Sequence, residues 1–216
     1  MHRLETPKMT SKFATRYRRV VLAIVLAVAA GAVSARGDES SRAASNGIVK
    51  TAEALIKQAG DANPVDTDLI HEAIDRLNAA TRIDPANDSA YVDLGFCYGL
   101  LRDGGTAIDM YTKATRINPS AANFLELSDV YLRTGDPESA LMAANAGLQK
   151  EPKSARLYNA KGIALNDLER FGEAAEAFAK AVKLDPKLTI ARTNLNALNG
   201  GSTGRGSIMR HSSTAQ

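Results

Sequence analysis

The sequence predicts an all-α solenoid, a row of helical hairpins stacked side by side, and three observations carry the prediction. Pro85, Pro119, Pro152 and Pro186 recur at intervals of 34, 33 and 34 residues, and self-similarity at such a period marks stacked supersecondary units. Small residues keep the same step: Ala73, Ala107, Ala140 and Ala174 form one column, and Ala80, Ala114, Gly147 and Ala181 another. The chain of 216 residues has no tryptophan and only 5% aromatic residues. Its core must close with small and aliphatic side chains, which favours close helix–helix contact over a sheet.

From the N-terminus, residues 1–35 read as an export signal. A basic stretch ending in Arg18-Arg19 runs into the uncharged Val20–Val33 and then Ser34-Ala35. Val33 and Ala35 supply the small residues that signal peptidase accepts. The apolar run is shorter than the roughly 20 residues a spanning helix needs, so a retained membrane anchor is the alternative. Either way the protein is headed out of the cytosol, to the periplasm or beyond. This segment holds six basic residues against Glu5 alone, so the rest of a chain of net charge +3 carries −2. Without a basic patch in the body, nucleic acid is excluded as a partner. Residues 36–44 are polar and read as a disordered leader, and 201–216, rich in Gly, Ser and Thr, as a disordered tail.

Residues 45–87 form a degenerate first hairpin. Ile48, Ala52, Leu55 and Ile56 share one helical face, which is expected to pair with a helix over about 66–84. Three regular hairpins follow, at 88–120, 121–153 and 154–187. In the first of these, Tyr91, Leu94, Gly95 and Tyr98 fall at i, i+3, i+4 and i+7, the face of one helix, and Ala107, Tyr111 and Ala114 line the next. The later hairpins repeat the columns as Phe124, Ser128 and Tyr131, and as Tyr158, Gly162 and Leu165. Each proline ends a second helix, because it cannot continue the hydrogen-bond ladder and forces the residue before it out of the α region. The single 33-residue step falls between Pro119 and Phe124, in a turn between units, where a deletion costs least. Residues 188–200 complete the array as a capping helix, with Asn194, Asn196 and Asn199 expected to face outward.

These columns resemble the tetratricopeptide repeat, a helix–turn–helix unit, over about residues 73–199. The resemblance implies a right-handed α-solenoid whose first helices line a concave groove. Off the packed stripe, those helices carry Val92 and Phe96, then Leu125, Asp129 and Leu132, then Asn159, Ile163 and Asn166. The groove is expected to hold an apolar segment of a protein or peptide partner, with the asparagines serving its backbone groups. Family members that clamp a terminal carboxylate use several basic and amide side chains. The comparable places here carry Val92, Phe96, Glu126, Arg156 and Ala160, so that clamp is not expected.

No catalytic constellation, metal-ligand spacing or cofactor motif is legible. Cys97 is alone and reads as a small buried hydrophobe, and His71, the one histidine of the folded body, as a solvated surface residue. The expected function is a non-enzymatic scaffold or adaptor outside the cytosol, of the kind that serves envelope, pilus or secretion-system assembly. The alternative is a structural subunit of a cell-envelope assembly that stacks on copies of itself. The export reading has a direct check: intact-mass measurement of the native protein should find a chain beginning at Arg36, whereas a mass that includes residues 1–35 assigns that segment to an anchor.

Overall fold

The computed structural model describes residues 39–62 and 64–200. The chain divides into two units, residues 1–44 and 45–216. Of the first, only 39–44 are described; they were expected to belong to a disordered leader and are instead helical. The export segment and the tail lie outside the described residues.

The second unit begins with helix α1, residues 45–61. Next come α2 (Thr67–Ile83), α3 (Asp88–Leu100), α4 (Gly104–Ile117), α5 (Ala121–Thr134), α6 (Pro137–Lys150), α7 (Ala155–Asp167), α8 (Phe171–Leu184) and α9 (Thr189–Gly200). No strand occurs among the described residues. The pairs α3–α4, α5–α6 and α7–α8 are antiparallel hairpins, each second helix then packing on the first helix of the next pair.

The ends of the helices are set by local chemistry. Asp66, Asn87, Asp103, Ser120 and Asp136 each cap a helix by accepting a backbone N–H of its first turn. The Thr106 hydroxyl and N–H hold the exposed Asp103 carboxyl below its ordinary pKa, and Ser139 does the same for Asp136. At the other end, the residues before the four prolines adopt nearly one conformation. Asp84, Asn118, Glu151 and Asp185 have φ of −133°, −131°, −133° and −136° and ψ of 94°, 96°, 85° and 95°, the extended geometry a following proline imposes. Each N–H closes on the carbonyl of Ala80, Ala114, Gly147 or Ala181. Within the hairpins, the turn passes through positive φ at Arg102, Gly135 and Glu169 (61°, 82° and 58°).

The core follows the small-residue columns. A side chain at Gly95 would meet the ring of Tyr111 at 2.8 Å, and one at Gly162 the ring of Phe178 at 2.6 Å. The middle hairpin has Ser128 at this place, and its hydroxyl donates to the Ala140 carbonyl at 3.0 Å. Ala107, Ala114, Ala140, Ala144, Ala174 and Ala181 are all fully buried. Buried Val49, Ala52 and Ala59 tie α1 into one cluster with α2 and α3, flanked by Ile48, Leu55 and Ile56. Cys97 is buried in this cluster, and burial pushes its thiol pKa up to about 12. At the far end, Ala191, Asn194 and Leu198 of α9 are buried. Asn194 thus faces inward, contrary to expectation: its Nδ2 donates to Asn159 Oδ1 at 3.2 Å. Asn196 and Asn199 are exposed.

The packing predicts unequal costs for two neighbouring substitutions. Ala174→Leu should lower stability by roughly 1–3 kcal/mol through overpacking, while Ala179→Leu, on the exposed side of α8, should change it little. Chemical denaturation of the two variants checks the difference.

Candidate functional site

The first helices of successive hairpins approach one another directly, α3 touching α5 and α5 touching α7, whereas the second helices make no comparable contact among themselves. The surface shared by α3, α5 and α7 is therefore the inner side of this array.

On this side, Val92, Phe96, Leu125, Asp129 and Asn166 are half-buried and retain accessible surface. Three other expected groove residues do not. Leu132 is 1% exposed, and Ile163 and Asn159 are 0% exposed. Leu132 and Ile163 belong to the same buried cluster as Phe178 and Leu198, and Asn159 is covered by its bond to Asn194. The capping helix packs on α8 and reaches Asn159 of α7 through Asn194, and Leu132 is covered by α6 and α7, so these positions are interior packing. Asn166 keeps a polar function: its Oδ1 is buried and accepts no hydrogen bond in the structure.

Beside the expected Asp129, the sequence reading missed two ionisable groups on the same side, Asp93 and Glu126. Asp93 and Glu126 stand in equivalent places on α3 and α5, and Asp129 lies one turn beyond Glu126. Burial raises the pKa of Asp93 to about 7, with help from the negative charge of Glu53. Burial, and then the charge of Glu126, also raises Asp129 to about 7, against the opposing pull of Arg133 and Arg156. Glu126 is shifted upward as well, again chiefly by burial. Between these helices stands Tyr111 of α4, only 1% exposed. Its hydroxyl is close enough to Glu126, Arg133 and Asp93 to feel their charges. Yet Asp93 Oδ2 is buried without a hydrogen-bond partner, and Tyr111 Oη has no well-formed one, the Arg133 guanidinium only approaching it. The spacing of Asp93 and Glu126, one repeat apart and each beside an expected groove residue, was the signal available in the sequence.

Residues 125–188 match the tetratricopeptide repeat family model. The chain is 33% identical over 97 residues to small glutamine-rich tetratricopeptide repeat-containing protein 2 of Mycosarcoma maydis, a match covering 44% of this chain and 28% of the relative. It is 38% identical over 80 residues to the TPR repeat-containing thioredoxin TDX of Arabidopsis thaliana, covering 37% of this chain and 21% of the relative. This chain thus spans less than a third of the length of these curated relatives. Among solved structures it resembles pilF of Pseudomonas aeruginosa (TM-score 0.60, 17% identity, 74% of this chain and 69% of that one). It also resembles MamA of Desulfovibrio magneticus RS-1 (TM-score 0.57, 21% identity, 69% and 82%). A third is YrrB, described as a TPR protein with an unusual peptide-binding site (TM-score 0.52, 21% identity, 69% and 78%). At these identities the likeness is one of fold.

The raised carboxyls predict how stability depends on pH. A folded-state pKa above the unfolded value means that the folded form holds a proton the unfolded form has released. The stability from Asp93 and Asp129 is therefore fully present below about 4 and is lost as pH rises to about 7. Asp129→Asn should accordingly raise the thermal midpoint at pH 8, and its advantage over the natural protein should shrink as pH falls to 5. Melting curves across this range check the sign.

Proposed function

We propose that this chain, a member of the tetratricopeptide repeat family, is a protein-interaction scaffold that seats a segment of its partner on the inner side of α3, α5 and α7. The observation that carries this reading is the chemistry of that side. Apolar surface at Val92, Phe96 and Leu125 stays partly open, and Asn166 Oδ1 is buried with no donor of its own. An extended or helical segment would cover the apolar part and supply an N–H to the amide oxygen. The description of YrrB, a protein of similar fold, as having a peptide-binding site supports a peptide segment as the ligand. The scaffold works outside the cytosol in this proposal, on the strength of the basic and apolar residues before Arg36. Among the described residues no helix is long and apolar enough to cross a membrane.

A photo-crosslinking side chain at Leu125 tests the surface against one at Met142, which lies on second helix α6 and is 71% exposed. In an extract of the native cell, the Leu125 position should give a discrete adduct that Phe96→Glu abolishes without changing the melting curve. The charge would have to be desolvated unpaired in the complex but stays wet in the free protein. Adducts from Met142 alone, or equal adducts from both positions, would move the binding surface elsewhere.

A further inference from the structure

Resting on that reading of the inner surface, we infer that its polar centre, formed by Glu126 and Asp129 of α5 and the Tyr111 hydroxyl, takes a lysine or arginine side chain of the bound segment. Three observations converge on it. The first is charge. The groups that face one another here from α1, α3, α5 and α7 are the carboxyls of Glu53, Asp93, Glu126 and Asp129 and the guanidinium groups of Arg133 and Arg156. Four acids meet two bases, and neither arginine closes an ion pair with any of them. Burial is the main reason that these acids hold their protons to higher pH than solvated carboxyls do, and a neighbouring carboxyl adds to it at Asp93 and Asp129.

The second is hydrogen bonding. Asp93 Oδ2 is buried without a partner, and Tyr111 Oη is buried with no well-formed hydrogen bond, only the nearby Arg133 guanidinium approaching it; both can accept. An orphaned buried polar atom costs about 1–3 kcal/mol, a penalty relieved by a ligand that brings donors. Ammonium and guanidinium groups bring three and five N–H donors and no acceptor.

The third is access. Arg133 is exposed, and its guanidinium extends across α3, so that a side chain at Gly99 would begin 3.5 Å from Nη2. The absence of a side chain at Gly99 leaves Arg133 as the group flanking this centre from the solvent side. A long flexible side chain of this kind can swing aside at little cost. The cation is one carried on a partner's side chain, because among the described residues no three of the His, Cys, Asp and Glu groups are placed to share a metal ion.

The test is selection of phage-displayed random linear peptides on the full-length protein at about pH 8, where the acids are ionised. Selected peptides should share a lysine or arginine at one position, and replacing that residue by alanine should weaken binding about tenfold or more. Glu126→Gln should cause a comparable loss. Tyr111→Phe should weaken binding several-fold while keeping or raising the melting temperature, since it removes an unpartnered hydroxyl. Binding should also fall as pH is lowered to about 6 and the acids protonate. Peptides that lose binding on Phe96→Glu but share no basic residue would overturn this inference and leave the groove in place. Peptides indifferent to both Phe96→Glu and Glu126→Gln, or no selectable peptide at all, would overturn both readings.

Discussion

Within the first regular hairpin, the ring of Tyr111 occupies the volume where a side chain at residue 95 would stand. Within the third, Phe178 does the same at residue 162. A glycine on the first helix and a ring on the second therefore set the distance between the two helices, and they fix their rotation as well. The ring admits one seating against the bare backbone, whereas interdigitated aliphatic side chains would allow several. The middle hairpin reaches a similar closeness by another route: Ser128 is small enough to enter the crossing and ties its hydroxyl to the Ala140 carbonyl. Ala144 stands where the other two hairpins place a ring, so a small residue and a hydrogen bond replace a glycine and an aromatic. The joint between hairpins uses the same device, since Gly147 leaves room for Leu157 and Phe124.

That seating has a chemical consequence. Once Gly95 holds the Tyr111 ring, the hydroxyl at its far end has a fixed position and cannot rotate out to water. It ends among Glu126, Arg133 and Asp93, where it is buried and unsatisfied. A packing requirement of the hairpin thus delivers a polar atom to the surface shared by the first helices. The acids around it are buried by the same approach of α3 to α5 that the small-residue columns permit. Packing and site chemistry are two results of one geometry, and a change that loosened the crossing would release the hydroxyl and rehydrate the acids together.

The repeat made most of the fold legible in the sequence, because every column is stated three or four times over. A proline, a small residue and an aromatic at one period specify the helix ends, the crossing and its filling. Where the sequence misled, the side chains laid over one column differed from unit to unit. Asn159 and Ile163 have equivalents at Val92 and Phe96 that stay partly open, so column logic placed all four on one accessible groove. The capping helix α9 packs on the third hairpin as α5 and α7 pack on the first and second, but its Leu198 and Asn194 close over Ile163 and Asn159. Asn194 itself stands one repeat after Ala160, in the column of Asp93 and Glu126. That column faces its neighbours in every unit, which is why Asn194 turned inward although its surroundings in the sequence are polar.

The acidic centre was hard to read for a related reason. Carboxylates on a helix are usually solvated, and nothing local in the stretch around Asp93 or Glu126 contradicts that assignment. Their burial arises only when one first helix is laid against the next, a relation between residues 33 apart. The same relation brings in Tyr111 from a second helix and Arg156 from the following hairpin. A charge set assembled from three units belongs to none of them. It is therefore a property of the stacked array: a break between α4 and α5 would separate Asp93 and Tyr111 from Glu126, Asp129 and Arg133.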